Sequence, residues 1–126
     1  MSNLYDTSVF VEYFRGKKVV ADYLQKAKLA CSIVTAAELV QGARDKKAQL
    51  VIEKFLRRVT VFSLTPTISE HMLGLIGRFH LSHGLAIPDA LIAATAIEHN
   101  LTLVTHNVKH FSFISGLSVH AWSEFA

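Results

Sequence analysis

Cysteine is almost missing from this chain of 126 residues: Cys31 is the only one. No disulfide can form within it, and a reducing, cytosolic home is the simpler expectation. The 2 prolines and 6 glycines are scattered as turn punctuation, so no flexible linker divides the chain, and neither an internal repeat nor a low-complexity tract is visible. With a length typical of one domain, these absences predict a single domain over residues 1–126. The opening Met1-Ser2-Asn3-Leu4-Tyr5-Asp6 lacks the basic start and apolar stretch of a secretory signal. No window approaches the roughly 18 uncharged apolar residues of a membrane helix, so a soluble protein is expected.

A strong charge imbalance is also missing. Lys plus Arg is 13 against 10 for Asp plus Glu, a formal charge of +3, compatible with a nucleic-acid partner but weak as a signal. What is abundant is apolar residue: 51% of the chain, with 10% aromatic and only 18% charged, enough to close a core and too much for intrinsic disorder.

Along the chain, Leu4-Tyr5 reads as a short strand, followed by Val9-Phe10 and Tyr13-Phe14 at helical spacing and Gly16 as a stop. Val19 to Leu24 continue a second helical piece. Leu29 to Val34 is a nearly unbroken apolar run, as expected of a strand buried on both faces. Thr35-Ala36-Ala37-Glu38 has the capping-box pattern and is expected to open the next helix, with Gly42 near its end and another helix over Lys46 to Arg58. Val59 to Phe62 is β-branched and short, a third strand, and Thr67-Ile68-Ser69-Glu70 repeats the capping box before a helix reaching about His83. Pro88-Asp89 begins a helix that is apolar all round through Ile97, which predicts burial inside the fold. Leu101 to Val104 is a fourth strand and Leu117 to Val119 a candidate fifth. Strands alternating with helices, without period-two polarity, define an α/β class with a mainly parallel sheet.

In such sheets ligands bind beyond the carboxyl ends of the strands. The residues delivered there are Asp6 after the first strand, Glu38 in the helix after the second, Asp89 at the helix after Gly84, and Thr105-His106-Asn107 after the fourth. Each acid has a plain local explanation: Asp6 as a helix cap, Glu38 as the partner of Thr35 in a capping box, Asp89 as a favourable charge at a helix start, effects worth about 0.5–2 kcal/mol. Caps, however, have no reason to converge. Two carboxylates about 4 Å apart repel by roughly 1 kcal/mol in water and more in a low-dielectric cleft, so a cluster calls for a cation or a shared proton. All-oxygen donors, with no HExxH, CxxC or EF-hand pattern, point to Mg²⁺ or Mn²⁺ rather than zinc. That chemistry suits phosphodiester hydrolysis. His71, His80 and His83 read as surface or packing residues on an amphipathic helix; His106, His110 and His120 stay open. Two basic clusters, Arg15-Lys17-Lys18 and Arg44-Lys46-Lys47, are placed to reach phosphates or simply to solvate the surface. Glu12 and Arg15, one turn apart, are expected to form a local ion pair. No Gly-rich phosphate cradle, Walker lysine or GxSxG elbow is present.

Taken in order, Leu4-Tyr5-Asp6-Thr7-Ser8-Val9-Phe10-Val11-Glu12-Tyr13-Phe14, Thr35-Ala36-Ala37-Glu38-Leu39, Pro88-Asp89-Ala90-Leu91-Ile92-Ala93-Ala94-Thr95-Ala96 and Leu103-Val104-Thr105-His106-Asn107 through Phe111 resemble a PIN-domain ribonuclease of the VapC toxin type, over essentially the full chain. The resemblance implies a PIN-like three-layer sandwich, with a central, mainly parallel sheet of four to five strands flanked by helices. It implies a Mg²⁺- or Mn²⁺-dependent endoribonuclease, the toxin of a toxin–antitoxin pair, acting as a cytoplasmic homodimer and neutralised by a cognate VapB-like antitoxin, a small DNA-binding protein. Carried over by position, Asp6, Glu38 and Asp89 match the acidic metal-binding residues; Thr7 or Ser8 would support the Asp6 turn, and Thr105 the far wall. The departure lies after the fourth strand, where the family often has an acid but residues 105–111 hold no carboxylate; the remaining candidate is Asn107, as holder of a metal-bound water.

The expected reaction is in-line attack by metal-activated water on an RNA phosphodiester, leaving 5′-phosphate and 3′-hydroxyl ends. Single-stranded or looped RNA suits a small site. The alternatives are a PIN-like module kept for binding only, and a Mg²⁺-binding phospho-receiver signalling domain. The latter needs an acceptor Asp ending the third strand, which Val61-Phe62-Ser63-Leu64-Thr65-Pro66 does not supply. An aspartate-nucleophile phosphatase built on Asp6 would want a second acid where Ser8 stands.

Overall fold

A computed structural model describes residues 2–124; Met1, Phe125 and Ala126, the outermost positions of the expected domain, lie outside the described residues. The chain runs β1 (Asn3–Tyr5), α1 (Thr7–Phe14), α2 (Lys18–Lys26), β2 (Ala30–Ser32), α3 (Ile33–Gln41), α4 (Lys46–Leu56), β3 (Thr60–Phe62), α5 (Pro66–His83), α6 (Ile87–Glu98), β4 (Thr102–Thr105) and β5 (Val119–Ala121), with single 3₁₀ turns at Val108–His110 and Trp122–Glu124. Strands β1, β4 and β5 form one hydrogen-bonded ladder in that order and β2 pairs with β3. Every pairing is parallel, with Leu4 opposite Leu103, Leu103 opposite Val119 and Cys31 opposite Val61. The ladders meet where β2 packs beside β1.

The missing period-two polarity now has its cause. Leu4, Ala30 and Leu103 face a core shared with α5, α6 and Phe111. Their chain neighbours Tyr5, Cys31 and Val104 face the opposite core, shared with α1 to α4 and Trp122. Consecutive strand residues point to opposite faces, and both faces are covered by helices, so both must be apolar. The result is the expected three-layer sandwich. Helix α6 is the central one: Ala90 and Ile92 to Ala96 are all buried, and α5 lies along it.

The helix starts differ from both capping-box readings. Helix α3 begins at Ile33, two residues before Thr35, because the Ser32 hydroxyl accepts from Val34 N at 3.0 Å and serves as the cap. That leaves β2 only three residues long, shorter than the apolar run Leu29 to Val34, and it frees Thr35 and Glu38 from any capping role. Helix α5 is capped by Thr65, which accepts from Ile68 N at 3.1 Å, with Pro66 in its first turn, and not by Thr67. In both cases an earlier hydroxyl was available and the longer helix gained more hydrogen bonds. The stop after α1 is as expected: Arg15 is the C-cap and Gly16 takes φ 83°, a left-handed conformation that glycine adopts without a Cβ clash. No described helix is long and apolar enough to cross a membrane.

Candidate active site

Asp6 is the first residue past β1, and its backbone N–H continues the ladder by donating to Val104 O at 2.9 Å. Its position is the N-cap of α1, yet its side chain makes no cap hydrogen bond. Instead Oδ2 accepts from Thr105 Oγ1 at 2.7 Å and from Ser8 Oγ at 2.8 Å. Those two hydroxyls accept in turn from the backbone N–H groups of Asn107 at 2.9 Å and His106 at 3.2 Å. The carboxylate, only 5% exposed, is therefore fixed to the segment after β4 rather than spent on its own helix. Because β1 and β4 are adjacent parallel strands, residues 99 apart in sequence become neighbours at one sheet edge.

Glu38 sits on α3 one turn after the buried Thr35. Its Oε1 accepts from Thr7 Oγ1 at 2.8 Å, and the Thr7 hydroxyl lies 3.0 Å from that of Thr35. So Ser8 and Thr105 support Asp6, while Thr7 supports Glu38. Asp89 occupies the first turn of α6. Its pKa is raised, first by desolvation and then by the Asp6 and Glu38 carboxylates, against a lowering by His110, whose Nδ1 is 3.7 Å away.

Asp6, Glu38 and Asp89 line one open cleft of about 500 Å³ together with Asn107, Glu12, Arg15, His106 and His110. The three predicted acids and the predicted amide are thus brought to one hollow. They are not drawn into a tight knot: among the described residues no group of three His, Cys, Asp or Glu side chains stands close enough to hold a metal ion by itself. A donor set of separate carboxylates suits Mg²⁺, which keeps several waters and is commonly held through one or two carboxylates. The like-charge pressure on Asp89 is what a cation would relieve.

Four cleft residues, Glu12, Arg15, His106 and His110, stand outside the expected acid set. Glu12 does not pair with Arg15; its carboxylate takes Lys17 Nζ at 2.7 Å on one oxygen and His106 Nε2 at 2.7 Å on the other. The Lys17 hydrogen bond is the main reason its pKa is lowered. Arg15 is thereby left to the cleft wall. His106 and His110 both face the cleft; a lone histidine after a strand carries no sequence signal for this, since its neighbours are set by the crossing of α1 and α6 over the sheet edge. Cys31 is buried, its thiol pushed up to about 12 by desolvation, which makes it an inert packing group.

The fold and this edge define an α/β sandwich with an acidic cleft at the carboxyl ends of parallel strands. The family pattern of the PIN domain matches residues 4–114, and the chain belongs to the PIN-domain family. It is 34% identical over 119 residues to Ribonuclease VapC10 of Mycobacterium tuberculosis, covering 90% of this chain and 89% of that protein. Among solved structures it resembles VapBC-1 from nontypeable Haemophilus influenzae, with a TM-score of 0.81, 28% identity and coverage of 98% and 99% of the two chains. It also resembles VapBC2 from Rickettsia felis, bound to a DNA fragment from its promoter, with a TM-score of 0.81, 26% identity and coverage of 97% and 99%.

Proposed function

We propose that this protein is a Mg²⁺- or Mn²⁺-dependent endoribonuclease of the VapC type, the toxin of a toxin–antitoxin pair. The observation that carries the proposal is the cleft itself: Asp6, Glu38 and Asp89 reach it from three separate elements, and Asp6 is held by Thr105 and Ser8 in place of capping its helix. Family membership and the relatives named ribonuclease support the same reading.

A divalent ion held at this cleft through one or two of Asp6, Glu38 and Asp89, with water completing its shell, would supply Lewis-acid polarisation of the phosphate and acidification of a bound water. The chain's own residues do the rest. Thr105 and Ser8 hold the Asp6 carboxylate in one orientation by donating to Oδ2. Thr7 does so for Glu38. Asn107, held by its backbone to Thr105, presents an amide at the far wall where the family often has an acid. Arg15 at the cleft rim is placed to meet a substrate phosphate. The nucleophile is water and not the ribose 2′-hydroxyl, so the products expected are 5′-phosphate and 3′-hydroxyl ends.

The cellular reading is a cytoplasmic homodimer neutralised by a small VapB-like DNA-binding antitoxin; the neighbouring VapBC structures, one of them on promoter DNA, support the partner. Leu73 and Leu81 on α5, 69% and 89% exposed, leave apolar surface for a second copy.

Purified protein incubated with total RNA is expected to cut in Mn²⁺, to stop in EDTA, and to lose at least about 100-fold in rate as Asp6→Ala or Asp89→Ala. Cleavage that survives EDTA or either substitution would reject the assignment.

A further inference from the structure

The acid cleft does not end at the acids. Val11, Arg15 and Glu38 line both it and an adjoining groove between α1, α3 and α4, of about 670 Å³. That groove shares Phe14, Ala48 and Ile52 with a further depression that extends it along the start of α4. One continuous channel therefore leaves the site, floored by apolar side chains.

Its cations come from two separate stretches of sequence. Arg15 stands at the junction, Arg44 on the groove, and Lys47 at the outer end. Among the described residues none of the three makes an ion pair; the carboxylate partners near the cleft are taken by Lys17 and His106, both to Glu12, and by His110 to Asp89. The one acid at the outer end, Asp45, is engaged as the cap of α4, its Oδ1 accepting from Ala48 N at 2.8 Å. An acidic cleft that gathered cations for its own stability would hold them in ion pairs with its carboxylates, and these three make none. They match a polyanion laid along the channel.

We propose that this channel is the path of single-stranded RNA flanking the scissile bond, its phosphates received in turn by Arg15, Arg44 and Lys47 and its bases set against the apolar floor. A single strand is required because stacked, paired bases offer that floor no face. The proposal rests on the nuclease reading of the cleft and extends it to substrate length and strandedness.

The test is fluorescence anisotropy of a fluorescein-labelled, mixed-sequence 12-nucleotide RNA with the full chain in EDTA, across a salt series. Arg44→Glu/Lys47→Glu is expected to weaken binding about tenfold and to flatten the log K against log salt slope by about 1.4, two single-strand phosphate contacts at about 0.7 each. Lys26→Glu/Lys28→Glu, an equal charge change at exposed positions off the channel, is expected to change binding less than twofold. Arg44→Ala/Lys47→Ala repeats the test without reversed charge, and an unchanged thermal melt shows that each variant folds. Equal losses in the channel and control variants, or an unchanged slope, would overturn the inference. So would a channel variant that keeps its RNA affinity while losing a co-expressed protein partner. Cleavage of RNA by wild type in Mn²⁺ is scored separately: its absence alongside the expected binding losses sinks the nuclease reading and leaves the RNA path standing, whereas cleavage with unaltered binding sinks the path alone.

Discussion

At the scale of single residues, the outcome turns on which local role each acid takes up. Asp6 and Asp89 stand where a cap or helix-terminus charge would stand and sequence alone weighs their roles evenly, whereas the Thr35-x-x-Glu38 spacing favours a local capping role for Glu38, which the start of α3 at Ile33 removes. The structure shows Asp6 declining the cap and accepting from Thr105 and Ser8, and Glu38 held by Thr7 across two helices. Thr105 is the most informative of these, because it is fully buried and bridges Asp6 to the Asn107 backbone. Thr105→Val keeps its shape and removes the hydrogen bonds to Asp6 and from Asn107, together with the longer one to Ser8 at 3.4 Å. The expected cost is about 1–3 kcal/mol in stability from the polar groups left behind, and about 10–100-fold in Mn²⁺ affinity, read by urea denaturation and by titration calorimetry. An unaltered Mn²⁺ affinity would show that the Thr105 bond does not orient Asp6 for the ion.

At the scale of elements, the sequence pattern located nearly every helix and strand and misplaced two helix starts. The reason is the same in both: Thr35-x-x-Glu38 and Thr67-x-x-Glu70 have the form of a capping box, but Ser32 and Thr65 lie just upstream and cap first. A pattern of residue types cannot say which of two hydroxyls meets an open N–H. Thr65→Ala is expected to destabilise by about 1 kcal/mol, whereas Thr67→Ala, at an exposed position inside the helix, is expected to stay within about 0.5 kcal/mol. Paired chemical melts decide it, and a larger loss at Thr67 would restore the capping box. The Glu12 to Arg15 pair fails for a related reason: helical spacing makes the two neighbours, but Lys17 and His106 reach Glu12 at 2.7 Å from outside the helix.

At the scale of the whole molecule, two cores on either side of the layer of parallel strands hold the edge on which the cleft is built. Phe10 is fully buried and places its ring edge-on to Tyr5 at 6.1 Å and Phe55 at 5.7 Å between centroids, joining β1, α1 and α4. Phe10→Ala is expected to cost about 3–5 kcal/mol, a large share of the stability of a domain this size. An equilibrium urea curve measures it; a loss under about 1 kcal/mol would mean that the aromatic cluster does not carry the packing of α1 on the sheet.

Sequence by itself determined the α/β class, the burial of both sheet faces, the central position of α6 and the short set of acids worth watching. These follow from hydrophobic periodicity and residue chemistry, which are local quantities. Only the tertiary structure decided that Asp6, Glu38, Asp89 and Asn107 share a hollow, that His106 and His110 face it, and that Arg15, Arg44 and Lys47 stand along one channel leading from it. Such meetings depend on parallel strand register and helix crossings between residues tens of positions apart, and no local pattern encodes which distant side chain will arrive.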